Sequence, residues 1–162
     1  MDNYHRDHES EAEKLDRNWD ELLQELRVSQ TGVQILTGFL LTLPLQPRFT
    51  ELDDFERGAY VMAIGLSVVA TCLLIAPVAM HRVLFRERRK ETLVRVGSLV
   101  AKAGLAVLAL ATTAVVTFIF SVIAGRSTAL WCGAAVLLLF GTAWLALPLA
   151  MRRSGRRARE AG

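Results

Sequence analysis

The chain has 162 residues, of which 52% are hydrophobic and 22% charged, with a formal net charge of +3. That length is enough for one domain, but the apolar residues gather into long runs, which argues against an ordinary soluble core and for a membrane chain. Its two cysteines give neither a disulfide framework nor metal-site spacing, and its basic clusters are too short and too close to apolar runs to read as a nucleic-acid surface.

Residues 1–9 read as a polar tail. From Ser10 to Arg27 the pattern turns helical, with Leu15, Trp19, Leu22 and Leu26 at spacings of four, three and four and Ser10-Glu11-Ala12-Glu13 resembling a capping box. This segment carries nine acidic and four basic side chains over residues 1–27. It is expected not to be a secretory signal, because such signals open on a basic stretch and reach their apolar core quickly. Asp2 after Met1 and the lack of a cysteine near the C-terminus give no lipidation motif.

The first apolar run, Val28–Leu45, is interrupted by Ser29, Gln30, Thr31, Gln34, Thr37 and Thr42, yet it carries no charge, unlike a soluble amphipathic helix. No breaker precedes it, so one helix from about Glu11 to Leu43 is expected. Gln30, Gln34, Thr37 and Leu41 share one helical face. Lipid offers amides no partner, so that face should turn toward another helix, a sister subunit or water. Gly32 and Gly38 allow a neighbouring helix to come close.

The loop Gln46–Gly58 holds a second capping-box pattern, Thr50-Glu51-Leu52-Asp53, followed by Asp54 and Glu56. Carboxylates in a helix's first turn are favoured by its dipole; a loose cation site is the alternative, although one short loop cannot supply six well-spread oxygen ligands. The second run, Ala59–Met80, contains Cys72 and leads through Pro77 to His81 and Arg82. His81 is either a solvated boundary residue or a pH sensor. The third run, Leu99–Ala124, contains Lys102, the lone charge within any of these runs, whose four-carbon stem can snorkel to headgroups. The fourth, Ala129–Met151, contains Cys132. Its exit resembles that of the second run, but the first and third runs do not match at the same offset, so an internal repeat is not supported. Both cysteines read as small packing residues.

Orientation follows from lysine and arginine, which stay cytoplasmic when close to a span. Arg82, Arg86, Arg88, Arg89, Lys90 and Arg95 lie between the second and third runs, and Arg152, Arg153, Arg156, Arg157 and Arg159 follow the fourth. The opposite side has only Arg48, Arg57 and Arg126. Four spans with both termini cytoplasmic are therefore expected. Phe49, Phe55, Tyr60 and Trp131 would then mark the outer boundary, with Trp19 and Phe85 at or beyond the inner one. Arg82–Arg95 and Arg152–Arg159 are placed to bind anionic headgroups, or to receive the acidic N-terminal helix.

Arg17-Asn18-Trp19-Asp20-Glu21-Leu22-Leu23-Gln24-Glu25-Leu26-Arg27-Val28, continuing Gln30-Thr31-Gly32-Val33-Gln34-Ile35-Leu36, resembles the signature of an uncharacterised family of small actinobacterial four-span membrane proteins. Leu43-Pro44-Leu45-Gln46-Pro47-Arg48-Phe49 and Ala76-Pro77-Val78-Ala79-Met80-His81-Arg82-Val83-Leu84-Phe85 look like its second and third blocks. The resemblance runs from Arg17 to Pro148. It implies a domain of unknown function, with no activity, ligand or catalytic residue to carry over. Some relatives carry a sodium/proton antiporter label. No Asp or Glu falls within the four apolar runs, however, and a cation carrier needs a group that binds and releases its ion.

The expected fold is an all-α integral membrane bundle of four transmembrane helices (28–45, 59–80, 99–124 and 129–151), with an amphipathic cytoplasmic N-terminal helix in 1–27 and a basic tail in 152–162. The expected location is the plasma (inner) membrane of a bacterium. With no nucleophile–base pair or His/Asp cluster in view, the chain reads as a non-enzymatic protein without a cofactor, forming a homo-oligomer or serving as accessory subunit to another membrane protein. The alternative is a small channel or transporter lined by Gln30, Gln34 and Thr37, with His81 and Lys102 near its inner mouth.

Overall fold

A computed structural model of the chain describes residues 11–84 and 90–146, with side chains left undescribed at 11–16, 18–20, 81–84, 90–94 and 145–146. Among the described residues there is no strand. Helix α1 spans Glu11–Thr42, α2 Asp54–Leu84, α3 Lys90–Ala124 and α4 Arg126–Gly141, the last passing into a π turn at Thr142–Ala146. Two 3-10 turns, Leu43–Leu45 and Pro47–Glu51, join α1 to α2. The acidic amphipathic segment and the first apolar run are thus one helix, 32 residues and about 48 Å long at 1.5 Å per residue.

Four helical stretches are long and apolar enough to cross a membrane: Glu21–Leu45, Asp54–Met80, Arg95–Ala124 and Arg126–Trp144. They contain the expected spans, apart from the end of the fourth, which lies beyond the described residues. Only 11–28% of each apolar window is buried inside the chain. Large apolar side chains therefore face outward on every helix, among them Phe39 on α1, Met62 on α2, Ile123 on α3 and Leu138 on α4. A chain in water rarely exposes apolar surface on this scale.

The helices contribute to two compact units. The first takes in the chain up to Leu43 together with Gly65–Leu108. Its core is Leu26 and Val33 from α1, Ala70 and Leu74 from α2, and Ala101 from α3, with Leu22 and Leu105 packed against it. Leu22 and Leu26, half of the stripe read from the acidic segment, are therefore used inside this unit. Gly104 lets α3 approach α2 closely, since a Cβ there would lie 3.0 Å from Leu74 Cγ and Cδ2 and 3.2 Å from Leu73 Cβ.

The second unit takes in Pro44–Ile64 and the chain from Ala109 onward. Ala109, Ala111, Phe118 and Ala129 are buried in it. Gly133 of α4 lies so close to α3 that a Cβ would collide with the Thr117 hydroxyl. Ala129 and Gly133, four residues apart and both buried, make a small-residue stripe of the kind that lets membrane helices touch along their backbones. Gly125 alone separates α3 from α4, with φ 82° and ψ 168°, a region that side chains other than glycine's hardly reach. Its N–H donates to the Ser121 carbonyl, and its own carbonyl accepts from Ala129 N–H, both at 3.1 Å.

One sequence expectation needs correction. The cap of α2 is Asp53 with Glu56, not Thr50 with Asp53: Glu56 N–H donates to Asp53 Oδ1 at 2.7 Å and Asp53 N–H to Glu56 Oε2 at 3.0 Å. Residues up to Glu51 belong to the preceding 3-10 turn, where the Thr50 hydroxyl donates to the Pro47 carbonyl. Among the described residues nothing lies within 4 Å of a Cβ at Gly32 or Gly38, so both stay open, whereas Gly104 and Gly133 are approached by another helix of the chain.

Candidate functional site

The expected polar face of α1 divides in two. Gln30 is half-buried and donates from Nε2 to the Leu74 carbonyl on α2 at 2.7 Å. Leu74 is fully buried and stands three residues before Pro77, also buried within α2. Proline has no N–H to offer the Leu73 carbonyl four residues back, and its ring crowds that position, one residue before the carbonyl that the Gln30 amide reaches. Neighbouring side chains commonly re-satisfy a membrane helix at such a break. Thr37 is half-buried, and its hydroxyl donates to the Val33 carbonyl at 2.7 Å. Gln34 faces outward and is exposed.

Hydroxyls elsewhere in the apolar helices follow Thr37. Thr71 donates to Ser67, Thr113 to Ala109, Thr117 to Thr113 and Ser121 to Phe118, each to a carbonyl of its own helix at 2.7–2.9 Å. Such back-bonding satisfies a hydroxyl without a second helix. An amide cannot fold back in this way as readily, which is why Gln30 reaches across to α2.

Lys102 is exposed on α3 seven residues after Arg95, also exposed, so the two share a helical face. His81 lies in α2, but its side chain is outside the described residues, as are those of Arg82, Lys90, Leu15 and Trp19. Ser10, Phe85, Arg86, Arg88, Arg89 and the tail Arg152–Arg159 are likewise outside. Within α1, Arg17 Nε lies 3.8 Å from Glu21 Oε1. Exposed pairs of this kind contribute about 0.3–0.5 kcal/mol.

In the second unit the boundary aromatics cluster. Phe49 meets Tyr60 edge-on at 4.9 Å, Tyr60 lies 5.7 Å from Phe118, and the Arg126 guanidinium sits 4.6 Å over the Phe55 ring. Trp131 is exposed. These contacts join the α1–α2 connection to α2, and α2 to α3 and to the start of α4. A shallow cavity of about 160 Å³ beside them is lined by Arg48, Glu51, Leu52, Glu56 and Val122. Glu56 is already committed to the cap. Among the described residues no group of three or more His, Cys, Asp or Glu could hold a metal ion, and Cys72 and Cys132 are free thiols.

A chain that is all-helical over its described residues, with four helices suited to a membrane and several hydroxyls bonded within their own helices, is the class that fold and site define. Within that class, the chain belongs to a family of unknown function (DUF6328), which it matches over residues 8–148. No curated protein and no solved structure matches it significantly.

The sequence contained signals for three features that pattern reading passed over. Pro77 inside an apolar run marks a carbonyl in need of a donor. Gly104 and Gly133 inside such runs mark close helix approach.

Proposed function

We propose that this chain is a four-span integral protein of the bacterial plasma membrane, with both termini cytoplasmic, and that it works without catalysis by self-associating or by serving as an accessory subunit. The observation that carries this reading is the outward apolar surface of all four helices, combined with the inward use of polar groups: Gln30 on Leu74, and the threonines on their own helices. Such a chain is built to sit among lipids and other helices. The basic segments Arg82–Arg95 and Arg152–Arg159 would hold its cytoplasmic side against anionic headgroups.

A second reading, a small channel or transporter lined by Gln30, Gln34 and Thr37, draws on the exposure of Gln34 and Lys102. It is the weaker reading, because Gln30 and Thr37 already have partners inside the chain. Single-cysteine labelling of each connection and both tails, in whole cells and in lysed ones, tests the topology. Native mass spectrometry of the mildly extracted protein tests its company. Tails that label only after lysis, with a homo-oligomer or a defined complex, support the first reading; a solitary monomer counts against it. Ion flux in proteoliposomes that Gln34→Leu abolishes would move the balance to the second.

A further inference from the structure

We infer that the outward stripe of α1 formed by Thr31, Gln34, Gly38 and Leu41 is the surface on which a second copy of this chain docks, with the two Gln34 carboxamides bonded to each other inside the membrane. The inference rests on the membrane reading above and narrows its self-association to one face.

The stripe recurs at spacings of three, four and three, the repeat that keeps a helix face in register with a partner helix. All four residues are exposed, while the stripe of Leu26, Val33 and Leu40, about 120° around the helix at 3.6 residues per turn, is buried. Gln34 stands six residues beyond Val28 and eleven short of Leu45, well inside the uncharged part of the first membrane-crossing stretch. The polar groups around it are provided for: the Thr31 hydroxyl donates to Arg27 at 3.0 Å, Thr37 to Val33, and Gln30 to Leu74. Gln34 has no hydrogen-bond partner among the described residues. Hydrocarbon supplies neither donor nor acceptor, so an amide held there needs one from another helix or from water.

A second copy answers that need better than a foreign helix. A carboxamide carries both donor and acceptor and is its own complement. Copies of one chain insert in one orientation, so a two-fold axis along the membrane normal brings the two Gln34 side chains to the same depth. A foreign helix would have to carry a polar residue at a matching level. One turn further on, Gly38 has open space where a Cβ would stand, so the paired backbones can close up beside the amides. Exposed Arg27 ends the stripe toward the acidic segment, where like charges need solvent between them and close contact stops.

The test uses the full chain with Cys72→Ala and Cys132→Ala, and single cysteines placed along α1 in native membranes under mild oxidation. Thr31→Cys, Gly38→Cys and Leu41→Cys are expected to give disulfide-linked dimers several-fold more than Val28→Cys, Ile35→Cys or Phe39→Cys. The last three positions are also exposed, at 76%, 56% and 70%, but lie on the flank. Adding Gln34→Leu should lower Gly38→Cys cross-linking several-fold and shift native mass spectra from dimer to monomer, whereas Gln34→Asn should retain both. Cross-links strongest on the flank, or indifferent to Gln34→Leu, in a protein that is still oligomeric overturn the inference and leave self-association standing. A monomer overturns both. A heteromeric complex cross-linked through these positions overturns the second copy as occupant.

Discussion

Gln30 on α1 donates from Nε2 to the backbone carbonyl of Leu74 on α2 at 2.7 Å, across 44 residues of sequence and three residues before a buried proline. Three helices meet at this point, because Gly104 of α3 packs against the Leu74 side chain. The side chain and the carbonyl of one leucine therefore hold α3 and α1 to α2.

Gln30→Leu is expected to destabilise the folded protein by about 1 kcal/mol, as interhelical hydrogen bonds in membranes are worth roughly 0.6–1.7 kcal/mol. Its cost should depend on Pro77. Pro77→Ala returns an N–H to the Leu73 carbonyl and removes the ring's crowding one residue from the carbonyl that Gln30 bonds, so Gln30→Leu should cost less in that background. A double-mutant cycle on unfolding in mixed micelles measures the coupling. Strict additivity would mean that the bond and the proline are independent.

Gly104→Val pushes a side chain into a position already 3.0 Å from Leu74 Cγ and Cδ2. Overpacking of this kind costs about 1–3 kcal/mol. Most of the obstruction is the Leu74 side chain, so Leu74→Ala should relieve it in part, with Leu73 Cβ still at 3.2 Å, and the double variant should be more stable than the two single losses would sum to. If the double variant loses the full sum, the close approach of α3 is not where the strain arises.

Gly133 gives a cleaner pair. A Cβ at Gly133 would overlap Thr117 Oγ1 yet stand 3.5 Å from Thr117 Cβ, an ordinary contact. Gly133→Ala should therefore destabilise the protein by about 1 kcal/mol or more. Thr117→Ala alone should be nearly neutral, because its hydroxyl bonds only within its own helix at the Thr113 carbonyl. Together they should restore nearly all of the loss. Thermal unfolding followed by tryptophan fluorescence reads all three variants.

The long elements were legible because their signal is long. Apolar runs of about 18 residues and more admit few structures, and the absence of a breaker between Arg27 and Val28 was enough to read α1 as one helix. What the pattern could not carry was pairing. A stripe of Gln30, Gln34 and Thr37 says that a helix face is polar, but not that Gln30 meets α2 while Gln34 turns outward. That choice depends on which helix lies beside α1. The glycines show the same limit. Gly32, Gly38, Gly104 and Gly133 look alike in an apolar run, and only packing separates the two approached by another helix of this chain from the two that stay open.

The start of α2 shows how two registers of one motif compete. Thr50-x-x-Asp53 and Asp53-x-x-Glu56 both offer a short oxygen-bearing side chain followed three residues later by a carboxylate, and Pro47 decides between them by starting the 3-10 turn that occupies residues through Glu51. The consequence is testable without any membrane assay. Asp53→Ala removes the acceptor of the Glu56 N–H and should cost about 1 kcal/mol, while Asp53→Asn, which keeps an acceptor oxygen, should cost much less. Glu56→Gln should also be mild, since a carboxamide oxygen can take the Asp53 N–H. Thr50→Ala loses only an exposed bond to the Pro47 carbonyl and should be nearly neutral. Amide exchange over the first turn of α2 in micelles is the direct readout. Faster exchange in Asp53→Ala but not in Thr50→Ala fixes the helix start at Asp54, and the reverse order would restore the earlier register.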